Sequence, residues 1–267
     1  MESESASILL SVDGVDAARF NAIYLARIHE MLLRIQKEEL DVMTRAAERM
    51  AQQIEADRLI YVYGPGGHSN VASQDVFFRA GGLAHISSIL DQGTLLSNGA
   101  LRSISMERCS GYGKAVIDSQ QLVESDLILL VSAYGVNSAL IDAALEARAR
   151  GAFLIGLSSH EHAMACAADH PARHPSKQNL HDLVDLAIDT KVPIGDALVE
   201  IPGVPQPVGA ASTFANIFVL HCLVVQTIAI LAQRGVSPPV WRSINTTGGD
   251  AANEELVCRL RGRVRWL

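Results

Sequence analysis

The sequence predicts an α/β protein built on a doubly wound parallel sheet. Three observations carry that expectation. Short apolar runs at residues 59–63, 126–131 and 153–157 are rich in leucine and β-branched residues and show little polar alternation, as strands buried on both faces do. Each run breaks into a polar or glycine-bearing turn, and helix-compatible sequence follows the first two. The units repeat at short range, so helical crossovers must join the strands, which places helices on both faces of the sheet.

Ahead of the first strand, apolar side chains recur at helical spacing: Ile23, Ile28, Met31, Leu32 and Ile35, then Leu40, Met43, Ala47, Met50 and Ile54. Two helices are predicted, with Asp16 as the N-cap of the first and Lys37, Glu38, Glu39 and Asp41 at the bend between them. A helical arm before the first strand cannot be a β-α-β crossover. Residues 1–57 are therefore expected to pack across the sheet or against another subunit.

The first strand runs into Gly64-Pro65-Gly66-Gly67-His68-Ser69-Asn70. Ser69 or Asn70 stands where the N-cap of a helix over 71–79 would sit, with free backbone N–H groups aimed into the loop, an arrangement suited to an anion. Gly66 and Gly67 let backbone approach a ligand, and His68, Ser69 and Asn70 offer side-chain hydrogen bonds. The spacing is neither that of a dinucleotide-binding turn nor that of a P-loop, which argues against NAD and ATP. Gly81 and Gly82 close that helix, and a second strand is predicted at 84–89. Residues 93–105 lack periodicity. Residues 106–121 read as helical in their second half, interrupted by Gly111-Tyr112-Gly113. The strand at 126–131 enters the turn Ser132-Ala133-Tyr134-Gly135-Val136-Asn137, and a helix over 138–150 stops at Gly151. Further strands are expected at 185–189 and 197–201. A Pro-rich turn at 202–207 then precedes an apolar helix over 214–232 that ends at Gly235. In a doubly wound sheet the polar turns at 64–70, 132–137 and 158–162 converge at the carboxyl ends of the strands, where ligands bind.

Composition narrows the function. The chain has 267 residues, 49% hydrophobic and 19% charged, with a formal charge of −7, which argues against a nucleic-acid partner. Cys109, Cys166, Cys222 and Cys258 are widely spaced with no C-x-x-C pair, as expected of free thiols in a reducing compartment. An acidic start, Met-Glu-Ser-Glu, is unlike a signal peptide, so a cytoplasmic location is expected. The apolar 214–232 stretch contains Asn216, His221, Gln226 and Thr227 and reads as a core or subunit-interface helix rather than a membrane span. The segment 158–181 holds His160, His162, His170, His174 and His181 with Cys166 and Asp169. These residues could form a zinc site or a loop reaching over the pocket; no familiar ligand spacing occurs, and neither metal nor cofactor is expected.

Several stretches, taken as a set, resemble one family: Val62-Tyr-Gly-Pro-Gly-Gly-His-Ser69, Phe78-Arg-Ala-Gly-Gly-Leu83, Glu107-Arg108 with Gly111-Tyr-Gly113, Arg173-His-Pro-Ser176, Gly195-Asp-Ala-Leu-Val-Glu200, Ser237-Pro-Pro-Val240 and Gly248-Gly-Asp250. Across residues 39–250 the chain is similar to the sugar isomerase (SIS) domain, in the subgroup akin to phosphoheptose-isomerase-like proteins. The resemblance implies a SIS domain at 58–250 followed by a tail at 251–267. It also implies a homodimer or homotetramer that binds a sugar phosphate at the strand ends and interconverts aldose and ketose. In the family's phosphate turn, Ser-x-Ser-Gly-x-Ser/Thr, the present chain keeps Ser132 and Gly135 but carries Tyr134 and Asn137, which opens the site to a modified or unphosphorylated sugar.

Such a reaction needs a base to take the proton α to the carbonyl, an acid, and donors that hold the substrate. Glu200, read as lying inside an apolar strand, is either paired or the base. His174 is a candidate acid or ring-opening residue, His68 a second acid–base group or ligand donor, and Glu107 an alternative base. Gly64, Gly66, Gly67, Ser69, Asn70, Arg79, Ser132, Tyr134, Gly135 and Asn137 are the expected substrate-binding residues. Two functions follow: a cofactor-independent phosphosugar isomerase, or a non-catalytic sugar-phosphate sensor.

Overall fold

The computed structural model describes residues 17–267, so the expected N-cap at Asp16 lies outside the described residues. Five parallel strands, β1 (Ile60–Tyr63), β2 (Ile86–Ser88), β3 (Leu127–Val131), β4 (Phe153–Ser158) and β5 (Leu186–Asp189), form one sheet in the order β2-β1-β3-β4-β5. β3 is central: Leu129 stands opposite Val62 on one side and Ile155 on the other. All five of its residues are buried. Leu127, Leu129 and Val131 enter one core while Ile128 and Leu130 enter the other, which is why the run carries no polar alternation.

The first core lies under α1 (Ala17–Glu38), α2 (Leu40–Glu55), α3 (Gly67–Asp75) and α9 (Ser212–Gln233); the second lies under α5 (Tyr112–Asp118), α6 (Ser138–Ala149) and α8 (Leu180–Leu183). Helices therefore cover both faces, as expected. The arm is part of the first core, since Ile28, Met31, Ile35, Met43 and Met50 pack into it. Its bend is fixed by charge. Glu39 is the N-cap of α2, and Lys191, just beyond β5, pairs with Glu39 at 2.7 Å, Glu38 at 3.1 Å and Asp189 at 3.1 Å. Burial alone would lower the Lys191 pKa, but its hydrogen bonds to these carboxylates outweigh that and hold the ammonium above the ordinary lysine range.

Several elements differ from the sequence reading. α3 starts at Gly67, its N-cap is Gly66 at φ +99°, and Asn70 N–H already donates to Gly66 O at 2.9 Å, so Ser69 and Asn70 lie inside the helix. The aperiodic stretch holds two 3-10 turns, at Gln92–Thr94 and Leu96–Asn98, and α4 (Ala100–Glu107). α7 (His160–Ala165) and α8 occupy part of the histidine-rich segment. β6 (Ala197–Val199) leaves the sheet to pair antiparallel with β7 (Val208–Ala210), making the Pro-rich turn a hairpin loop. The tail folds as α10 (Gly249–Leu260), whose Leu260 packs with Leu59, Ala84, Trp241 and Val264. Among the described residues α9 is the one helix long and apolar enough to cross a membrane by length and composition; its Ala215, Val219, Leu223 and Thr227 face is buried.

Lys191 is the cation between the partly buried carboxylates of Glu39 and Asp189, whereas the exposed Glu38 also pairs with Arg34 at 3.4 Å, so removing the ammonium leaves Glu39 and Asp189 repelling each other. Lys191→Met is expected to lower unfolding free energy by roughly 2–4 kcal/mol, read as a drop in the urea midpoint. An unchanged midpoint would show that the arm is held without this pairing.

Candidate functional site

The strand order reverses between β1 and β3, and there the turns that follow both strands face a cleft of about 400 Å³. Its lining includes Gly66, Gly67, His68, Ser69, Glu107, Arg108, Ser132, Tyr134, Asn137, His162, His170, Asp196 and Ser212. The turn after β1 is compressed to the limit that glycine allows. A methyl group at Gly64 would lie 2.3 Å from Ser69 O, and one at Gly67 would lie 2.4 Å from the Leu96 side chain. This packing brings the start of α3 to the cleft with no side-chain cap on its first N–H groups, those of Gly67, His68 and Ser69. His68 is exposed at the rim, and Ser69 is buried beneath it.

The turn after β3 is held by its own serine. Ser132 Oγ accepts the N–H groups of Tyr134 at 3.2 Å and Gly135 at 3.0 Å. Gly135 sits at φ +71°, and a methyl there would meet Ser158 Oγ at 2.6 Å. Asn137 is the N-cap of α6 but makes no side-chain cap bond. The Tyr134 ring stacks on His162, with centroids 3.6 Å apart and planes 15° apart, and burial, reinforced by the charges of Asp196 and Glu107, pushes its hydroxyl up to about 12.

Glu107 ends α4 with its carboxyl against the backbone of Gly66, where a methyl would lie 2.8 Å from the carboxyl carbon. No described group donates a hydrogen bond to it. Burial raises its pKa from 4.5 to about 7, only partly offset by Arg108, and a place in the last turn of a helix further disfavours the anion. A carboxyl poised in this way can accept and return a proton near neutral pH.

Other expected residues stand elsewhere. Glu200 is exposed just past β6 on the hairpin, lining a separate groove with Arg27 and Arg34 of α1; it follows buried Val199 because strand residues alternate between faces, so its apolar neighbours did not imply burial. His174 does not line the cleft. Its Nδ1 accepts Ser176 N–H at 3.1 Å, and its Nε2 faces Asp142 Oδ1 at 3.1 Å, while Asp142 Oδ2 accepts Gly111 N–H at 2.5 Å, so the imidazole ties the 171–177 loop to α6 and α5. Arg79 is exposed and pairs with Asp75 at 3.3 Å, beyond the far end of α3. Asn70 is buried, with Oδ1 taken by Gln74 and Nδ2 unpartnered. Among the described residues no three His, Cys, Asp or Glu side chains converge to hold a metal ion.

Two further residues reach the cleft. His162 closes the 158–162 turn that the sequence brings to the strand ends, but its place among other histidines suggests a zinc ligand and no role in catalysis. Asp196, at φ +62°, reaches across to accept Ala211 N–H at 2.9 Å and Ser212 N–H at 2.6 Å and to take the Ser212 hydroxyl at 2.7 Å, so it fills the N-terminus of α9 with a carboxylate. That end of α9 is closed to an anionic ligand, whereas the first turn of α3 is open to one.

Residues 23–159 match the family profile described as the SIS domain. The chain belongs to the SIS-domain family. It is 32% identical over 241 residues to a UPF0309 protein of Geobacillus thermodenitrificans, covering 90% of this chain and 95% of that one. It is 34% identical over 236 residues to a UPF0309 protein of Streptomyces griseus, covering 88% and 92%. Among solved structures, the SIS-domain protein resembles phosphoheptose isomerase GmhA from Neisseria gonorrhoeae, with a TM-score of 0.55 at 15% identity over 79% of this chain and 98% of that one. A phosphoheptose isomerase from Francisella tularensis gives 0.50 at 16% identity over 80% and 98%. At these identities the likeness is one of fold.

Glu107 binds its proton more tightly in the folded chain than in the unfolded one, so the stability this confers is fully present below about pH 4.5 and is lost as pH rises through about 7. Glu107→Gln cannot ionise. At about pH 8 it should exceed the parent by roughly 1–3 kcal/mol in urea unfolding, with the advantage vanishing toward about pH 4.5. A variant less stable than the parent at the higher pH would mean that the carboxylate has a stabilising partner.

Proposed function

We propose that this SIS-domain protein binds a sugar phosphate in the β1/β3 cleft and interconverts its aldose and ketose forms, with Glu107 carrying the proton between carbons. The observation that carries the reading is the Glu107 carboxyl held near neutral pKa against Gly66, at the open first turn of α3. The anionic end of the sugar takes the free N–H groups of Gly67, His68 and Ser69, near Arg108 and the Asn137 side chain. Its carbonyl end lies toward Glu107. The carboxylate removes the hydrogen α to the carbonyl and returns it to the neighbouring carbon, chemistry that calls for no cofactor. Two of the fold neighbours carry the name phosphoheptose isomerase, which supports the substrate class.

The reading extends to a homo-oligomer. α1 exposes Leu25 and Leu33, and α9 exposes Phe214 and Val225, apolar surface that a second copy would cover. Light scattering is expected to give a mass above that of one chain, and a stable monomer would refute the assembly.

In deuterated water, wild-type protein should wash deuterium into fructose 6-phosphate, ribulose 5-phosphate or sedoheptulose 7-phosphate at the carbon beside the carbonyl. Glu107→Gln should slow this by about 10²- to 10⁴-fold while ligand-induced melting shifts persist. Melting shifts without any exchange by the wild type would instead identify a sugar-phosphate sensor.

A further inference from the structure

We propose that His162 is a catalytic residue of this cleft, a neutral Nε2–H donor to the substrate carbonyl oxygen, with Tyr134 as the residue that positions its ring. The proposal rests on the isomerase reading above. α7 is locked at its start, because Ser159 Oγ accepts His162 N–H at 3.1 Å and donates to Val192 O at 2.6 Å. The imidazole is then fixed twice. One face stacks on Tyr134 at 3.6 Å, and Nδ1 accepts Gly195 N–H at 3.4 Å. With Nδ1 an acceptor, the proton of the neutral ring is on Nε2. No described group bonds to that nitrogen, and His162 lines the same cleft as Glu107.

The charged and titratable neighbours of the ring favour its neutral form. Burial lowers its pKa and the nearby His170 lowers it further, while Asp196 opposes both; Tyr134 stays a neutral phenol. The other histidines of the region are arranged differently: His160 and His181 face each other at 4.5 Å outside the cleft lining, His174 gives Nε2 to Asp142, and His68 and His170 are exposed and make no ring stack among the described residues. A neutral imidazole donor opposite a carboxylate base suits an enediol mechanism, because the carboxylate gains a proton as the ring, passing through imidazolate, gives one, so the net charge of the site stays constant.

The step balances. Glu107 takes the hydrogen from the carbon beside the carbonyl as the Nε2 proton passes to the carbonyl oxygen, giving an enediol. The ring regains a proton from the adjacent hydroxyl, the Glu107 carboxyl returns its proton to the former carbonyl carbon, and the carbonyl now stands one carbon along. Nothing else is consumed.

The test uses His162→Gln and Tyr134→Leu in the deuterium-exchange assay with the same three sugar phosphates, together with nitrogen-15 NMR of the wild-type imidazole. His162→Gln should lower kcat about 10²-fold with KM changed less than about threefold. Tyr134→Leu should lower kcat less and move the His162 titration up toward about 6.5, the ordinary value. NMR should show the Nε2–H tautomer at neutral pH. Unchanged turnover in His162→Gln, with Glu107→Gln inactive, would overturn the role of His162 and leave the isomerase reading standing. A wild type that exchanges none of the probes would overturn both. Should His162→Gln fail to fold, the wild-type NMR decides, since an Nδ1–H tautomer or an imidazolium at neutral pH refutes the proposal.

Discussion

The site depends on one steric constraint, the collapse of the chain at Gly64, Gly66 and Gly67 after the first strand. Any side chain at these positions would run into Ser69 backbone, the Glu107 carboxyl or Leu96. Because none is present, α3 begins immediately beyond the sheet with its first amides uncapped, and the end of α4 closes onto the turn from above. The carboxyl of Glu107 is desolvated by the same contact. An uncapped helix start and a desolvated carboxyl, the two groups the proposed isomerisation uses, are thus produced by one piece of packing rather than by separate devices.

The sheet supplies the frame for this contact. Its strand order turns back between β1 and β3, so two helix-starting turns share a crevice that no crossover covers. α7 from β4 and the loop beyond β5 bring His162 and Asp196 to the other wall. Asp196 occupies amides at the start of α9, whereas the starts of α3 and α6 reach the cleft without a side-chain cap, and Arg108 lines the same cleft. The replacement of a small hydroxyl residue by Tyr134 also acquires a structural meaning: its ring is the surface on which His162 rests.

Much of the fold was legible in the chain. The β3 run announces a central strand because both its faces are buried, and the polar turns after β1 and β3 mark the cleft because parallel strands deliver them to one edge. Local signals failed where tertiary contact decided. Gly67, His68, Ser69 and Asn70 are poor helix formers, yet α3 starts among them because packing against β1 and Leu96 fixes the backbone there. Glu200 looked buried because its neighbours are apolar, whereas a hairpin strand sends alternate residues outward. His174 and Arg79 carry suitable chemistry but are engaged by Asp142 and Asp75. His162 and Asp196 act through partners far along the chain, Tyr134 for one and the start of α9 for the other, and no spacing rule reports such pairings.

The account stands or falls on the state of one carboxyl group. Carbon-13 NMR of protein labelled at glutamate side chains, titrated with pH and assigned by comparison with Glu107→Gln, measures it directly. The account predicts that the Glu107 resonance titrates near 7. A midpoint at the ordinary glutamate value of about 4.3 would contradict it, because a carboxylate already fully ionised and solvated lacks the poise that the proposed proton transfer requires.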